Sequence, residues 1–190
     1  MAQAQIEARQ VLESKVQERT EALDRLAKTD ALTELLNRRG MSERIAAEVS
    51  RSRRENGRVG LLWLDIDLFK EINDVHGHAM GDEALREVAS LLLSLLRPYD
   101  SVARWGGDEY LVLTQSSTAE ELHVLGERIR RAVAESRHLK DAKGVPLTLS
   151  VSVGGYLGEA GEDMETLQRA DQALYDAKSA GRNCYRAYAG

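Results

Sequence analysis

The strongest constraint on the fold is a run of six residues, Val59 to Leu64, in which only Gly60 is not apolar. A strand with one face in water alternates apolar and polar side chains, whereas a strand covered on both faces is apolar throughout. The run therefore predicts a central strand with helices on both sides of its sheet. With 190 residues, 43% of them hydrophobic, the chain can build such a core in one domain.

The stretch RWGGDEYLVL, residues 104–113, predicts a hairpin whose turn carries two acids. Gly106 and Gly107 separate two strand-like runs, and tight hairpin turns need the positive φ that glycine adopts at least cost. Asp108 and Glu109 follow at the start of the second strand. Adjacent carboxylates repel each other unless a cation lies between them. The turn is therefore either an ordinary polar turn or a cation site.

A second acidic motif ends the apolar run, where a period of two places Asp65 and Asp67 on one face. Acids at such a strand end must be paired, hydrogen-bonded or metal-bound, because apolar surroundings solvate charge poorly. If this strand and the hairpin are neighbours, Asp65 lies close to Asp108 and Glu109. Grouped carboxylates suit Mg²⁺, which takes its other ligands from water and substrate phosphates. Either motif alone is more typical of strand-end polarity, but both together with Lys70 indicate a nucleoside triphosphate site.

The remaining periodic patterns alternate between helices and strands. This alternation, with one hairpin, predicts an α/β (α+β) fold in which helices flank a mixed sheet. Residues 77–82 are expected to form a loop, with Asp82 as either an N-cap or a ligand-binding residue. The other predicted elements are helices at 42–54, 83–96 and 162–180, a capping box of Ser117 and Glu120 that opens a further helix, and a strand at 147–153.

Residues 1–28 contain neither Gly nor Pro and predict a single helix that precedes a domain at 29–190. Its apolar residues follow a weak heptad spacing of four then three, with Arg19 at one seam position. The helix is therefore either one strand of a parallel coiled coil or a solvated amphipathic helix. The seam residues are Leu12, Val16, Leu23 and Leu26.

Charge and cysteine content narrow the classes of partner. The net charge of −5 argues against nonspecific nucleic-acid binding. The single cysteine, Cys184, excludes an internal disulfide and fits a reducing compartment. The sequence contains neither an apolar run of membrane-spanning length nor a signal-peptide core. We expect a cytoplasmic piece that contacts neither nucleic acid nor membrane.

Five motifs occur in a fixed order: DALTELLNRR at 30–39, DIDLFKEIND at 65–74, GHAMGD at 77–82, RWGGDEY at 104–110 and AKSAGRN at 177–183. In this order they resemble the motifs of the GGDEF family, the diguanylate cyclases that condense two GTP into cyclic di-GMP. The resemblance covers residues 27–188. Two motif positions differ from the family: Tyr110 stands where Phe is usual, and Glu34 stands where Gly is usual.

The resemblance implies a palm-like nucleotidyl cyclase fold, whose five-stranded mixed sheet has the signature on a β-hairpin. It also implies residue roles. Mg²⁺ or Mn²⁺ would be held by Asp65, Asp108, Glu109 and the backbone carbonyl of Ile66. The guanine edge would be read by Asn73 and Asp82. The phosphates would be held by Lys70, Lys178 and Arg182. Asp108, or alternatively Glu109, would assist deprotonation of the attacking 3′-hydroxyl.

The resemblance further implies a homodimer, because each domain has the parts for one GTP and the product joins two. An upstream sensor in the parent protein would act through the leading helix. Arg97 and Asp100 match an RxxD site for inhibition by cyclic di-GMP, and Arg128 would assist there. Two other functions stay open: a silent module that binds GTP or cyclic di-GMP, and a cyclase that makes a 3′,5′-cyclic mononucleotide.

Overall fold

The computed structural model describes residues 2–55, 57–115, 118–158 and 164–190. Within these residues, helices flank one mixed sheet with strand order β2-β3-β1-β4-β5, which confirms the predicted fold class. The helices are α1 Ala2–Lys28, α2 Arg38–Glu55, α3 Phe69–His76, α4 His78–Leu95, α5 Ala119–Glu135 and α6 Met164–Ser179. The strands are β1 Val59–Ile66, β2 Ser101–Arg104, β3 Glu109–Thr114, β4 Val151–Gly158 and β5 Tyr185–Ala187.

Strand β1 is the centre of the sheet, and all eight of its residues are buried, as the apolar run predicts. It pairs antiparallel with β3 on one side and with β4 on the other. Leu62 and Leu64 pack with α4 and α5 on one face, while Leu61 and Trp63 pack with α2 and α6 on the opposite face. Burial of each such side chain stabilises the fold by about 1.5–3 kcal/mol.

Strand β4 begins four residues later than the predicted strand at 147–153 and continues to Gly158. Glycines in its second half weaken the β signal of the sequence, yet packing against α6 requires one of them. A Cβ on Gly154 would lie 2.1 Å from the backbone nitrogen of Leu174 and 2.5 Å from the carbonyl oxygen of Ala170. Helix α6 therefore lies directly against the β4 backbone, which fixes the position of its C-terminal end beside β1.

The predicted loop at 77–82 was wrong, because α4 already begins at His78. Gly77, with φ of 83°, separates α3 from α4 and lets the chain turn between them. Asp82 consequently lies in the second turn of α4, so the N-cap alternative for this residue is also wrong.

Helix α5 opens with a capping box one residue later than predicted, formed by Thr118 and Glu121. Ser117, the predicted cap, lies outside the described residues, as do residues 162–163 of the predicted last helix. Glu34 has φ of 60°, in the left-handed region where glycine is favoured. Within the part of the chain that the structure describes, no helix combines the length and apolarity needed to cross a membrane.

Candidate active site

The register between β1 and β3 places Asp65 directly opposite Glu109. The backbone nitrogen of Ile66 donates to the carbonyl oxygen of Asp108 at 3.2 Å. The two acidic motifs therefore meet at one end of the sheet, as expected if the apolar strand and the hairpin are neighbours. Because both backbones belong to ladders in a buried sheet, the carboxylates are held by a rigid frame.

The hairpin turn differs from its predicted form, since neither Gly106 nor Gly107 has a positive φ. The turn is wider than a two-residue turn because Arg104 pairs with Tyr110 across it. A Cβ on Gly106 would lie 2.9 Å from Oε2 of Glu109. The glycine at 106 thus leaves room for the Glu109 carboxylate in its present position and does not serve to supply a positive φ.

Arg104 stabilises the turn through hydrogen bonds to its backbone, a role that the sequence did not predict. Its Nε and Nη2 donate to the carbonyl oxygen of Gly107 at 3.0 and 2.7 Å. Its Nη1 lies 3.3 Å from a carboxylate oxygen of Asp30, in the segment that follows α1. The acidic turn is therefore linked to the start of the domain, and the arginine two residues before Gly106 was the available signal.

The acidic end of the sheet carries more negative than positive charge. Burial raises the pKa of Asp65 to about 6, and the nearby Asp108 and Glu109 carboxylates add to the shift. The Lys178 ammonium opposes it from 2.8 Å. Burial also raises the pKa of Glu109, with Asp108 and Asp171 acting in the same direction. Three carboxylates around one ammonium favour the binding of a further cation.

The donor set fits a hard divalent cation that arrives with a substrate. Among the described residues, no three acidic, histidine or cysteine side chains are grouped closely enough to hold a metal by themselves. Mg²⁺ needs no such group, because it commonly binds one or two carboxylates together with waters and substrate phosphates. Asp65, with the Ile66 carbonyl at the same strand end and the acids of the turn opposite, offers the oxygen ligands that such an ion prefers.

Asp67, two residues beyond Asp65, has a different environment. It is 6% exposed. Its carboxylate accepts hydrogen bonds from the Ser150 and Ser152 hydroxyls and from the backbone nitrogen of Asn183. The sequence reasoning allowed hydrogen bonding as one fate of this acid but did not identify the donors, which lie 83 to 116 residues away.

The two residues expected to read guanine come from neighbouring helices, Asn73 from α3 and Asp82 from α4. A Cβ on Gly81 would lie 2.0 Å from Oδ1 of Asn73. The Asn73 side chain therefore contacts the α4 backbone immediately before Asp82, whose side chain is exposed. Only glycine at position 81 permits this approach.

The residues expected to hold phosphates lie on two segments, helix α3 shortly after β1 and the C-terminal end of α6 with the turn that follows it. Lys178 lies in the last turn of α6 and reaches Asp65. Arg182 follows that helix in a left-handed conformation with φ of 62°. Lys70, in the first turn of α3, and Arg182 are both exposed. Within the described residues, neither of these side chains forms a hydrogen bond or ion pair with the acidic group.

A separate surface cleft, which we call the Arg97 cleft, contains the residues of the RxxD motif. Arg97, Asp100 and Arg128 line one cavity of about 230 Å³, on the surface between α5 and the segment that precedes β2. Each residue has a local partner: Arg97 donates to the Tyr99 hydroxyl, Arg128 donates to a backbone carbonyl, and Asp100 accepts from the Arg97 amide. One carboxylate oxygen of Asp100 is buried without a hydrogen-bond partner.

Comparison with known proteins adds to this geometry. The family described as "Diguanylate cyclase, GGDEF domain" matches residues 27–184. The diguanylate cyclase DgcP of Pseudomonas aeruginosa is 45% identical over 158 residues, which are 83% of this chain and 23% of DgcP. The response regulator PleD of Caulobacter vibrioides is 40% identical over 162 residues, 83% of this chain and 35% of PleD. The matched part of the chain thus spans 23% to 35% of the length of these curated relatives.

A solved structure resembles nearly the whole chain. The coiled coil and GGDEF domain of DgcB from Caulobacter crescentus, in complex with c-di-GMP, matches with a TM-score of 0.89 and 30% identity. The match covers 97% of this chain and 98% of the DgcB chain.

Proposed function

This chain belongs to the family of diguanylate cyclase GGDEF domains, and from that premise we propose that it condenses two GTP into cyclic di-GMP and two pyrophosphates. One observation carries the proposal: Asp65 lies opposite Glu109 in the β1–β3 ladder, with Lys178 2.8 Å from Asp65. A module that only binds nucleotide has no need of buried acids in excess over their counter-charge.

The reaction is attack of one GTP's 3′-hydroxyl on the α-phosphate of the other, with pyrophosphate as leaving group. Mg²⁺ or Mn²⁺ would be held by the Ile66 carbonyl and by one or two carboxylates at a time from Asp65, Asp108 and Glu109; when bound, it would neutralise charge on the phosphates and lower the pKa of the hydroxyl. The phosphates would be oriented by basic side chains at the ends of two helices: Lys70, Lys178 and Arg182.

One acid of the turn would take the proton of the attacking hydroxyl. The family resemblance favours Asp108 for this task, with Glu109 as the alternative. Burial beside Gly106 and the raised pKa of Glu109 support Glu109, because a base is more effective when its pKa lies closer to the working pH.

Guanine selection would follow from Asn73 and Asp82. The Asp82 carboxylate can accept from guanine N1–H and N2–H₂, whereas adenine offers no such pair of donors. The contact of Asn73 with Gly81, the residue before Asp82, supports a shared role in which both side chains engage one base edge.

Each domain would contribute one GTP to a site shared by two copies of the chain. Leading helix α1 supports this arrangement, because its four seam residues are all exposed and would be covered in a parallel pair. Their exposed fractions are 63% for Leu12, 56% for Val16, 67% for Leu23 and 70% for Leu26. A sensor that moves α1 would then determine how the two GTP-binding domains are positioned relative to each other.

The Arg97 cleft would bind the product and slow the enzyme. Arg97 and Arg128 provide two guanidinium groups for phosphate or guanine O6 and N7, and the Asp100 carboxylate, which also lines the cleft, would accept from guanine N1–H. The cleft lies away from the acidic end of β1, so inhibition would act on the arrangement of domains.

The test is to incubate the protein with GTP and Mg²⁺ over a range of protein concentrations and to identify the product by mass spectrometry. We expect cyclic di-GMP, with turnover per chain rising as the protein dimerises. GTP binding without product would indicate the silent module, and 3′,5′-cyclic GMP would indicate the mononucleotide cyclase. Constant specific activity from monomer to dimer would contradict the shared site.

A further inference from the structure

The buried carboxylate of Asp67 joins three segments of the chain. Its Oδ2 accepts from the Ser150 hydroxyl at 2.7 Å and from the Asn183 backbone nitrogen at 3.0 Å. Its Oδ1 accepts from the Ser152 hydroxyl at 2.6 Å. With 6% exposure, Asp67 is shielded from water, and hydrogen bonds from an N–H to such a carboxylate are stronger than those to a neutral acceptor.

The Asn183 amide belongs to a turn with an unfavourable backbone. Gly181, Arg182 and Asn183 have φ of 108°, 62° and 43°, three consecutive left-handed residues of which two carry side chains. Such a conformation is retained only where surrounding contacts enforce it. Asp67 holds the backbone of this turn, while Arg130 of α5 donates to the Asn183 side chain at 3.0 Å.

We propose that Asp67 is a positioning residue that holds Arg182 in place to bind GTP phosphate. The proposal rests on the proposed function only in taking phosphate as the partner of Arg182. Asp67 follows β1 directly, so the acid expected to hold metal and the arginine expected to hold phosphate are fixed to one strand end. The two serine bonds anchor the carboxylate to the start of β4, which makes it a firm support for the turn.

The direction in which replacement of Asp67 changes the nucleotide affinity distinguishes a positioning role from a direct electrostatic effect. Removing a negative charge close to bound phosphates would tighten nucleotide binding if charge alone mattered. Loosening the turn would weaken binding, because Arg182 would have to be ordered when the ligand arrives.

Asp67→Asn is the appropriate variant, since asparagine keeps the shape, still accepts from the Asn183 amide and can donate to a serine hydroxyl. The affinity for a non-hydrolysable GTP analogue with Mg²⁺ is measured by calorimetry, and amide exchange at Asn183 is measured by NMR. We expect about tenfold weaker affinity, from replacing a charged acceptor by a neutral one, and faster exchange. In an Arg182→Ala background, Asp67→Asn should change the affinity less than twofold.

Asp141→Asn is the matched control. Its Oδ1 accepts from the backbone nitrogens of Lys143 and Val145 at 2.9 and 2.8 Å, in a turn with no part in the proposed site. It should leave affinity and Asn183 exchange unchanged. Ser152→Ala removes one hydrogen bond to Asp67 and should weaken binding of the GTP analogue two- to threefold. This variant tests the positioning role of Asp67 if Asp67→Asn does not fold.

Tighter binding by Asp67→Asn, an equal effect with and without Arg182, or unchanged exchange at Asn183 would each overturn the proposal. If the wild-type protein binds no nucleotide, the proposed function fails. Faster Asn183 exchange in Asp67→Asn would then still establish that Asp67 holds the turn.

Discussion

The acidic end of β1 and the Arg97 cleft both gather charged side chains, but they do so differently. Asp65 is 7% exposed and has one basic partner, Lys178, against the acids around it. In the cleft, Arg97, Asp100 and Arg128 line a surface cavity and already have local hydrogen-bond partners. The first region holds excess charge on a rigid ladder, whereas the second keeps its charges largely satisfied beside solvent.

This difference suggests how the two regions work. Preorganised charge in a buried frame is suited to stabilising a transition state, because little reorganisation is needed during the reaction. Exposed guanidinium groups, whose present hydrogen-bond partners a ligand can replace, are suited to reversible binding of a ligand whose concentration varies. Substitutions at the acidic end should therefore abolish turnover, and those in the cleft should change only its regulation.

The largest effect is expected for Glu109→Gln, which keeps the shape of the side chain but removes its charge and basicity. Loss of an electrostatic stabiliser of this kind lowers turnover by roughly 100-fold or more. The initial rate of cyclic di-GMP formation from GTP is the measurement. Glu165→Gln, at a glutamate paired with Arg169 in the first turn of α6, is the control and should stay near the wild-type rate. A Glu109→Gln variant within threefold of wild type would remove Glu109 from the chemistry.

Arg97→Ala separates the regulation from the reaction. Micromolar cyclic di-GMP, equivalent to about −8 kcal/mol of binding, should slow the wild-type enzyme. In the variant, the concentration for half-inhibition should rise at least about tenfold, because a charged contact to phosphate or guanine is lost. The ratio of rates with and without added product is compared with Arg39→Ala, an exposed arginine on α2. Equal ratios in all three proteins would leave the RxxD motif as a turn.

Gly81→Ala tests guanine recognition in a scaffold that should remain stable. Alanine favours an α-helix by about 1 kcal/mol over glycine, but its Cβ would displace the Asn73 side chain, whose Oδ1 lies 2.0 Å from that position. We expect about tenfold higher KM for GTP, from the loss of one hydrogen bond to the base, with an unchanged or higher Tm. In an Asn73→Ala background the same change should have little effect on KM. A lower Tm with unaltered KM would contradict this assignment.

Much of this site could be predicted from short-range patterns. The apolar run at 59–64 predicts a central strand, and neighbouring strands bring Asp65 close to Glu109. The predicted reason for the Gly106-Gly107 pair, a positive φ in a tight hairpin turn, was wrong. The turn is wider than a tight hairpin turn, and Gly106 leaves room for the Glu109 carboxylate. Partners distant in sequence were also missed, such as Asp30 for Arg104, 74 residues away. Such contacts depend on the assembled sheet and leave no local pattern.

The strands beyond β1 show the same limit. Strand β5 has three residues, too few for a periodic pattern to predict a strand, so its parallel pairing with β4 defines it. In β4, Gly154 leaves room for the backbone of α6, while Gly155 and Gly158 leave room for the side chains of Tyr185 and Thr166. Tertiary contacts therefore decide where both elements begin and end.

Tyr110→Phe gives the smallest effect and tests a family departure at the base of the acidic turn. The buried Tyr110 hydroxyl donates to the carbonyl oxygen of Leu85 at 2.8 Å, which ties β3 to α4. Burial raises the pKa of Tyr110 well above its ordinary range, so the hydroxyl stays protonated. Phenylalanine should lower the free energy of unfolding by about 1 kcal/mol, since the Leu85 carbonyl keeps its helical bond. Chemical denaturation measures this change, and a loss above about 3 kcal/mol would show that Tyr110 has a larger packing role.

The central claim, that the acidic end is retained for chemistry at the expense of the fold, is tested by Asp65→Asn in the absence of metal. The folded state raises the pKa of Asp65 from 3.8 to about 6, so it binds this proton more tightly than the unfolded state. The free energy of unfolding should therefore fall by up to about 3 kcal/mol as pH rises from about 4 to about 6.

Chemical denaturation of both proteins at pH 5 and pH 7.5, with turnover measured on the same samples, makes the comparison. The account predicts that Asp65→Asn is inactive yet more stable than wild type by about 1–3 kcal/mol at pH 7.5, with a smaller difference at pH 5. A variant that is less stable than wild type at pH 7.5, or one that still makes cyclic di-GMP at the wild-type rate, would contradict it.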